Sequence, residues 1–189
     1  MSKYSDLTKE RNFWDLYLEM RKIPVRKDNL IIYIVSLIAI LIFNFLTLND
    51  CREAEVYALS NNVISWSLSI LGFAIAGYAI FSTLSDKSLQ ISMSEIKHPE
   101  YELDYLRVAH LNILKPIVDF ILIVVLSFII GKFSILLVCN DYLYVFIESL
   151  LDSFLVFIAI SAKSFVFNIF SGVMMSIRWY AETKDTEND

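Results

Sequence analysis

Cysteine and histidine are scarce in this chain, with two of each among 189 residues. Neither histidine, His98 nor His110, stands with cysteines or carboxylates at metal-ligand spacing, so no metal centre is expected. No Ser-His-Asp set, phosphate-binding loop or dinucleotide fingerprint occurs, so neither an enzyme nor a cofactor site is expected. Nothing resembles a nucleic-acid-binding motif, and no direct nucleic-acid contact is expected. There is no solenoid-type repeat and no low-complexity tract. The first apolar run is not expected to be a cleavable signal peptide: it follows a long charged segment and lacks a short core with a small-residue cleavage site.

What is abundant is hydrocarbon. Hydrophobic residues make up 57% of the chain, and mean hydropathy is +0.57. A water-soluble domain of this size could not hide that much apolar surface. Four runs are long enough to cross a bilayer: 30–48, 63–84, 116–138 and 145–173. The fold expected is all-α: a four-helix transmembrane bundle with an N-terminal amphipathic helix and a helical cytoplasmic insert. Its parts are a cytoplasmic amphipathic segment (1–28), spans one and two with a short outer loop (29–84), the cytoplasmic insert (85–115), the hairpin of spans three and four (116–178), and a disordered acidic tail (179–189).

Basic residues set the orientation. Lys3, Lys9, Arg11, Arg21, Lys22, Arg26 and Lys27 precede span one. Lys87, Lys97, Arg107 and Lys115 lie between spans two and three, and Arg178 and Lys184 follow span four. The loop after span one holds only Arg52, and the loop after span three holds none. Both termini are therefore expected in the cytoplasm. The net charge of −5 says little about partners, because both signs are interspersed. Cys51 and Cys139 fall in the two outer loops. A disulfide between them and two unrelated thiols are both open readings.

Span two carries small residues at Ser65, Ser69, Gly72, Ala76, Ala79 and Thr83. Steps of three and four keep all six on one helix face, over roughly 27 Å at 1.5 Å per residue. Helices in lipid associate through close backbone approach, which small residues permit. The face is expected to serve helix packing and oligomer contact. The Ser65 and Ser69 end is expected to pack on the chain's own hairpin, and the stretch from Gly72 to Thr83 to meet another copy.

Five ionisable residues lie inside spans three and four: Asp119, Lys132, Glu148, Asp152 and Lys163. Folding the hairpin about Asn140 and Asp141 brings Lys132 level with Glu148 and Asp152, and Asp119 level with Lys163. Opposite signs meet at both depths, so hairpin-locking pairs are expected; a polar pathway or sensor is the functional alternative. At 100° per residue, however, Asp119 and Lys132 point well apart, so a straight span three cannot aim both at span four.

On the cytoplasmic side, residues 5–22 are expected to form an amphipathic helix with Leu7, Trp14, Tyr17, Leu18 and Arg21 near one face, suited to lipid headgroups, to a soluble partner, or to packing under the chain's own bundle. In the insert, Leu89, Ile91 and Met93 alternate with polar residues, as in a short strand or a continuing frayed helix. Residues 101–114 are expected to form a helix with Glu100, Glu102 and Asp104 at its start. His110 is expected to cap a helix or face the headgroups. Trp14, Tyr17, Tyr101 and Tyr105 are the candidate partner-docking residues.

The second span, N-N-V-I-S-W-S-L-S-I-L-G-F-A-I-A-G-Y-A-I-F-S-T-L-S-D (61–86), together with the four-span layout, resembles the membrane subunit of the Kiwa anti-phage defence system, the KwaA-like family. The resemblance implies an oligomer in the bacterial inner membrane. It would respond to phage attachment or injection and hold a soluble, nucleic-acid-binding effector on the cytoplasmic side. The function expected is thus a sensor-scaffold subunit, homo-oligomeric with four copies as the expected number, in contact with membrane lipid and a cytoplasmic effector protein. Its outer surface would include Asp50, Glu53, Glu55 and Asp141. The alternatives are a pore-forming effector that depolarises the membrane and an accessory subunit of a transporter.

Overall fold

The second helix of this protein is built inside out. Its only buried residues are Asn29 and Asn44, while Leu30, Ile31, Ile34, Val35, Ile38, Ile42 and Phe43 are exposed. Such an arrangement would be unfavourable in water, where apolar area seeks cover. In a bilayer it is the favourable one, because hydrocarbon solvates the aliphatic face and the polar groups must find partners inside. The same inversion recurs elsewhere. Ser60, Ser67, Ser127, Ser149 and Ser153 are buried, while Trp66, Phe73, Ile80, Phe128 and Phe170 are exposed.

The computed structural model describes residues 12–47, 52–84, 86–101, 103–134 and 140–187. Six helices lie among them: α1 (Phe13–Arg21), α2 (Lys27–Leu46), α3 (Arg52–Leu84), α4 (Lys87–Glu95), α5 (Tyr105–Lys132) and α6 (Asp141–Glu187). The protein is all-α, and α2, α3, α5 and α6 are each long and apolar enough to cross a membrane. It is a multi-pass membrane protein. Cys51 and Cys139 lie outside the described residues, as do Leu7 and Asp50.

Several boundaries differ from the sequence expectation. The insert does not extend span two, nor is it a strand. Asp86 stops the run by capping a separate helix, α4, accepting from the Ser88 N–H at 2.7 Å. The third long helix begins at Tyr105, after the acidic residues expected in its first turn. Asp104 instead bridges to Lys97 across a tight loop. There the His98 N–H donates to the Leu103 carbonyl and the Tyr105 N–H to the Ile96 carbonyl. The tail expected to be disordered continues α6 as far as Glu187. Once a helix is nucleated, each added residue brings its own hydrogen bond at little further cost.

Pro116, expected where span three enters the membrane, sits inside α5. Proline has no N–H, so the carbonyl four residues back loses its helical partner. That carbonyl belongs to Asn112, and the Asn168 side chain of α6 donates to it at 3.3 Å. A neighbouring helix thus satisfies the group that the proline frees, as membrane helices require.

The chain forms two compact units. One holds residues 25–73 and 119–163. Its core joins Val56 and Val63 of α3, Phe120 and Ile123 of α5, and Tyr144, Val145, Leu151 and Ile158 of α6. Gly131 brings α5 close to α3 there, since a Cβ at this position would lie 3.0 Å from the Ser60 Cβ. The other unit holds residues 1–24, 74–118 and 164–189. In it α3 and α6 exchange knobs for glycines. Ile169 and Phe165 pack over Gly77, and the Phe81 ring packs over Gly172. The buried Met20 and Ile23 bring α1 into this unit, where the Lys115 ammonium donates to the Ile23 carbonyl at 2.8 Å.

Candidate functional site

Helix α3 has two small-residue faces. The buried one runs through Ser60, Ser67, Ala74 and Gly77 and serves the chain's own packing. The other is the face read from the sequence. Ser65, Ser69, Gly72, Ala76, Ala79 and Thr83 are all exposed. Ser65 and Ser67, Gly72 and Ala74, and Ala79 and Gly77 are each two residues apart, which is about 200° around a helix. The faces are therefore nearly opposite.

This corrects one expectation. Ser65 and Ser69 do not pack on the chain's own hairpin helices; Ser60 and Ser67 point into the chain instead. The cause is rotational: small residues occur on both sides of α3, and the helix turns the Ser60 side inward. Gly72 makes the contrast plain. A Cβ built there meets nothing within 4 Å, whereas one at Gly77, Gly131 or Gly172 strikes a neighbouring side chain.

Two hydroxyls of the exposed face are satisfied within α3 itself. The Ser69 hydroxyl donates to the Ser65 carbonyl at 2.8 Å, and the Thr83 hydroxyl to the Ala79 carbonyl at 3.0 Å. By contrast, the buried hydroxyls of Ser60, Ser67 and Ser127 have no hydrogen-bond partner among the described residues.

The five intramembrane charges are arranged otherwise than as hairpin-locking pairs. Asp152 accepts from the Asn44 side chain at 3.2 Å, and the same amide group donates to the Ser149 hydroxyl at 3.3 Å. One turn away, the Tyr33 hydroxyl donates to Ser153 at 3.4 Å. Glu148 lies beside Tyr144, whose hydroxyl donates to Glu55 at 2.7 Å. Lys132 is exposed, with its ammonium 5.6 Å from the centre of the Phe128 ring on its own helix. Lys163 is also exposed, and among the described residues it forms no ion pair with Asp119.

The physical reason is again azimuth. Depth matched the opposite charges, but the two lysines face away from the acids. Lys132, the last residue of α5, can carry its ammonium to the interface along an apolar stem. Asp152 and Glu148 meet neutral donors from α2 and α6 instead. Those donors, Asn44 and Tyr144, were not among the residues singled out from the sequence. Their signal was available: an asparagine inside an apolar run and a tyrosine at the edge of one need hydrogen-bond partners in lipid.

The docking candidates form two aromatic groups. Trp14 is exposed, its ring edge-on to Tyr17 at 6.0 Å, and the Arg21 guanidinium lies over Tyr17 at 4.9 Å. Tyr101 stacks on His98 at 4.5 Å, and Tyr105 leans on the same ring at 4.8 Å. A hydrogen bond to the Glu100 carboxylate holds the Tyr101 phenol above its ordinary pKa. His110 belongs to neither group and does not face the headgroups. Its Nδ1 is 3.2 Å from the Tyr78 hydroxyl, and the Phe81 ring packs edge-on against it. Comparison with protein-family models, with curated proteins and with solved structures finds no match.

Proposed function

We propose that this chain is a homo-oligomeric membrane scaffold and sensor subunit of a bacterial anti-phage defence complex, which recruits a soluble effector on its cytoplasmic side. One observation carries the assembly part: six small residues along α3 are all uncovered by the chain itself, while three of its four glycines are covered. Small residues bring helices together in lipid, and large ones hold them 8–10 Å apart. A small face of this length left bare suits a second copy. The defence role follows the resemblance of span two to the Kiwa membrane subunit. The basic-rich side, cytoplasmic by charge, includes α1, α4 and the His98–Tyr101–Tyr105 cluster, which offer the effector-docking surface.

The test is expression together with the neighbouring genes of its locus, followed by phage plating and native gels. Wild type is expected to protect cells and to migrate as an oligomer. Gly72→Leu with Ala76→Leu is expected to lose both properties while still inserting in the membrane. Full protection by a chain shown to be monomeric overturns the proposal.

A further inference from the structure

The unit formed by residues 1–24, 74–118 and 164–189 holds an open-sided cavity of about 200 Å³. Phe81 of α3, Leu89 and Met93 of α4, Asn112 of α5 and Asn168 of α6 contribute to its wall. The lining is mostly hydrocarbon and holds no charged side chain. An ionic occupant would find no counter-charge there, and a dry site would penalise it.

Two features go beyond an apolar gap. The first is a pair of carboxamides. Asn168 gives one N–H to the Asn112 carbonyl, and neither side chain has another hydrogen bond among the described residues. A carboxamide offers two donors and an acceptor with two lone pairs, so most of this capacity is unused among the described residues at the cavity wall. The second is the rim. Phe167 and Met175 also line the cavity, and they are 55% and 50% exposed, continuous with the exposed Phe170 and Met174 of the same helix. In a membrane that helix face looks onto lipid. What enters therefore comes from the bilayer.

We propose that this cavity binds one acyl chain of a bilayer phospholipid, with the ester carbonyl of that chain accepting from the carboxamides of Asn112 and Asn168. The size fits. At roughly 30 Å³ per small group, the share of a water in the liquid, 200 Å³ takes about six or seven methylenes, the ester end of a chain, and the remainder runs out over the exposed rim into lipid. The uncharged lining favours an esterified chain over a free fatty acid, whose carboxylate it could not match. Leu89 and Met93 make α4 one wall of the site, and the Trp179 indole donates to Ser88 at the start of that helix. A chain in the cavity thus supports α4, the first helix of the insert. The site requires the membrane but not assembly, so it is independent of the scaffold proposal.

The test is native mass spectrometry of the full chain released from detergent after addition of dioleoyl-phosphatidylethanolamine, with phospholipid counted per chain. Ala109→Phe fills the cavity from α5, and Met93→Trp fills it from α4. Each is expected to retain one phospholipid fewer per chain than wild type, with unchanged helical content. Phe170→Leu, on the open lipid face, is expected to retain the wild-type number. Sodium oleate in excess is expected to leave the retained phospholipid in place. Equal lipid counts in wild type and in whichever filled variant folds would overturn the site, as would displacement by oleate.

Discussion

Asn168→Leu should cost stability only as long as Pro116 is present. Pro116 leaves the Asn112 carbonyl without a helical donor, and Asn168 supplies the replacement at 3.3 Å. Interhelical hydrogen bonds in membranes average about 0.6 kcal/mol, with a ceiling near 1.7. An orphaned polar group in apolar surroundings costs about 1–3 kcal/mol. The bond is long for an N–H···O contact, so the low end applies, and the loss should be about 1 kcal/mol. Pro116→Ala restores an N–H at the right position for the carbonyl and should leave stability unchanged or raised. In that background Asn168→Leu should be nearly neutral, giving an interaction energy of about 1 kcal/mol in a double-mutant cycle. The assay is reversible unfolding in mixed micelles by titration with a denaturing detergent, followed by helical circular dichroism. If Asn168→Leu costs the same with proline and with alanine at position 116, the bond does not serve the freed carbonyl and the reasoning fails.

Other perturbations separate the elements of the account. Gly77→Ala would place a Cβ 2.5 Å from the Ile169 Cδ1 and 3.1 Å from the Phe165 ring; because the Ile169 tip can turn aside, the low end of the overpacking cost applies, about 1 kcal/mol in the same unfolding assay. Gly72→Leu meets open space within the chain and should leave monomer unfolding unchanged; if the clash falls between copies, an overpacking cost of about 1–3 kcal/mol weakens association about 5- to 150-fold by dilution on native gels. Asn44→Leu removes the donor to Asp152 and Ser149 and should destabilise by about 1–2 kcal/mol, whereas Asp152→Asn, which keeps an acceptor, should cost under about 0.5; the reverse order would contradict the assigned roles. The Asp86 carboxylate is held below the ordinary range by the Ser88 hydroxyl and N–H. A depressed folded pKa means that its contribution is present above the unfolded value near 3.9 and lost as pH falls through the lower folded value. Emission from Trp179, as sole tryptophan, should therefore stay flat from pH 8 to about 5 and change only below about 4; in Asp86→Asn that acid change should be absent.

The spans were legible because about twenty apolar residues in a row have few other uses in a chain this small. Their ends were less so. Pro116 looked like a boundary, since a lone helix tolerates interior proline poorly. The compensating donor, Asn168, is 52 residues away and gives no local sign. Rotation was the harder problem. The face through Ser65, Gly72 and Ala79 was visible, but so was the one through Ser60, Ser67 and Ala74. Composition cannot choose between faces some 200° apart, because the choice depends on which side meets α5 and α6. The charges failed in the same way: depth follows from counting residues, but direction follows from packing. Asp86 shows a local signal with two meanings, as the end of a span and the cap of the next helix. Leu89, Ile91 and Met93 alternate like a strand, yet that cap and the buried Leu89 make them a helix.

Disulfide trapping in native membranes tests the assembly face most directly. With Cys51→Ser and Cys139→Ser as background, Ala76→Cys lies on the exposed face of α3 and Ala74→Cys on the buried one. Two cysteines bridge only when their Cα atoms are within about 7 Å, so mild oxidation reports the approach of backbones. A crosslinked dimer is expected for Ala76→Cys and none for Ala74→Cys. No dimer at Ala76→Cys, or equal yields from both positions, would contradict that expectation.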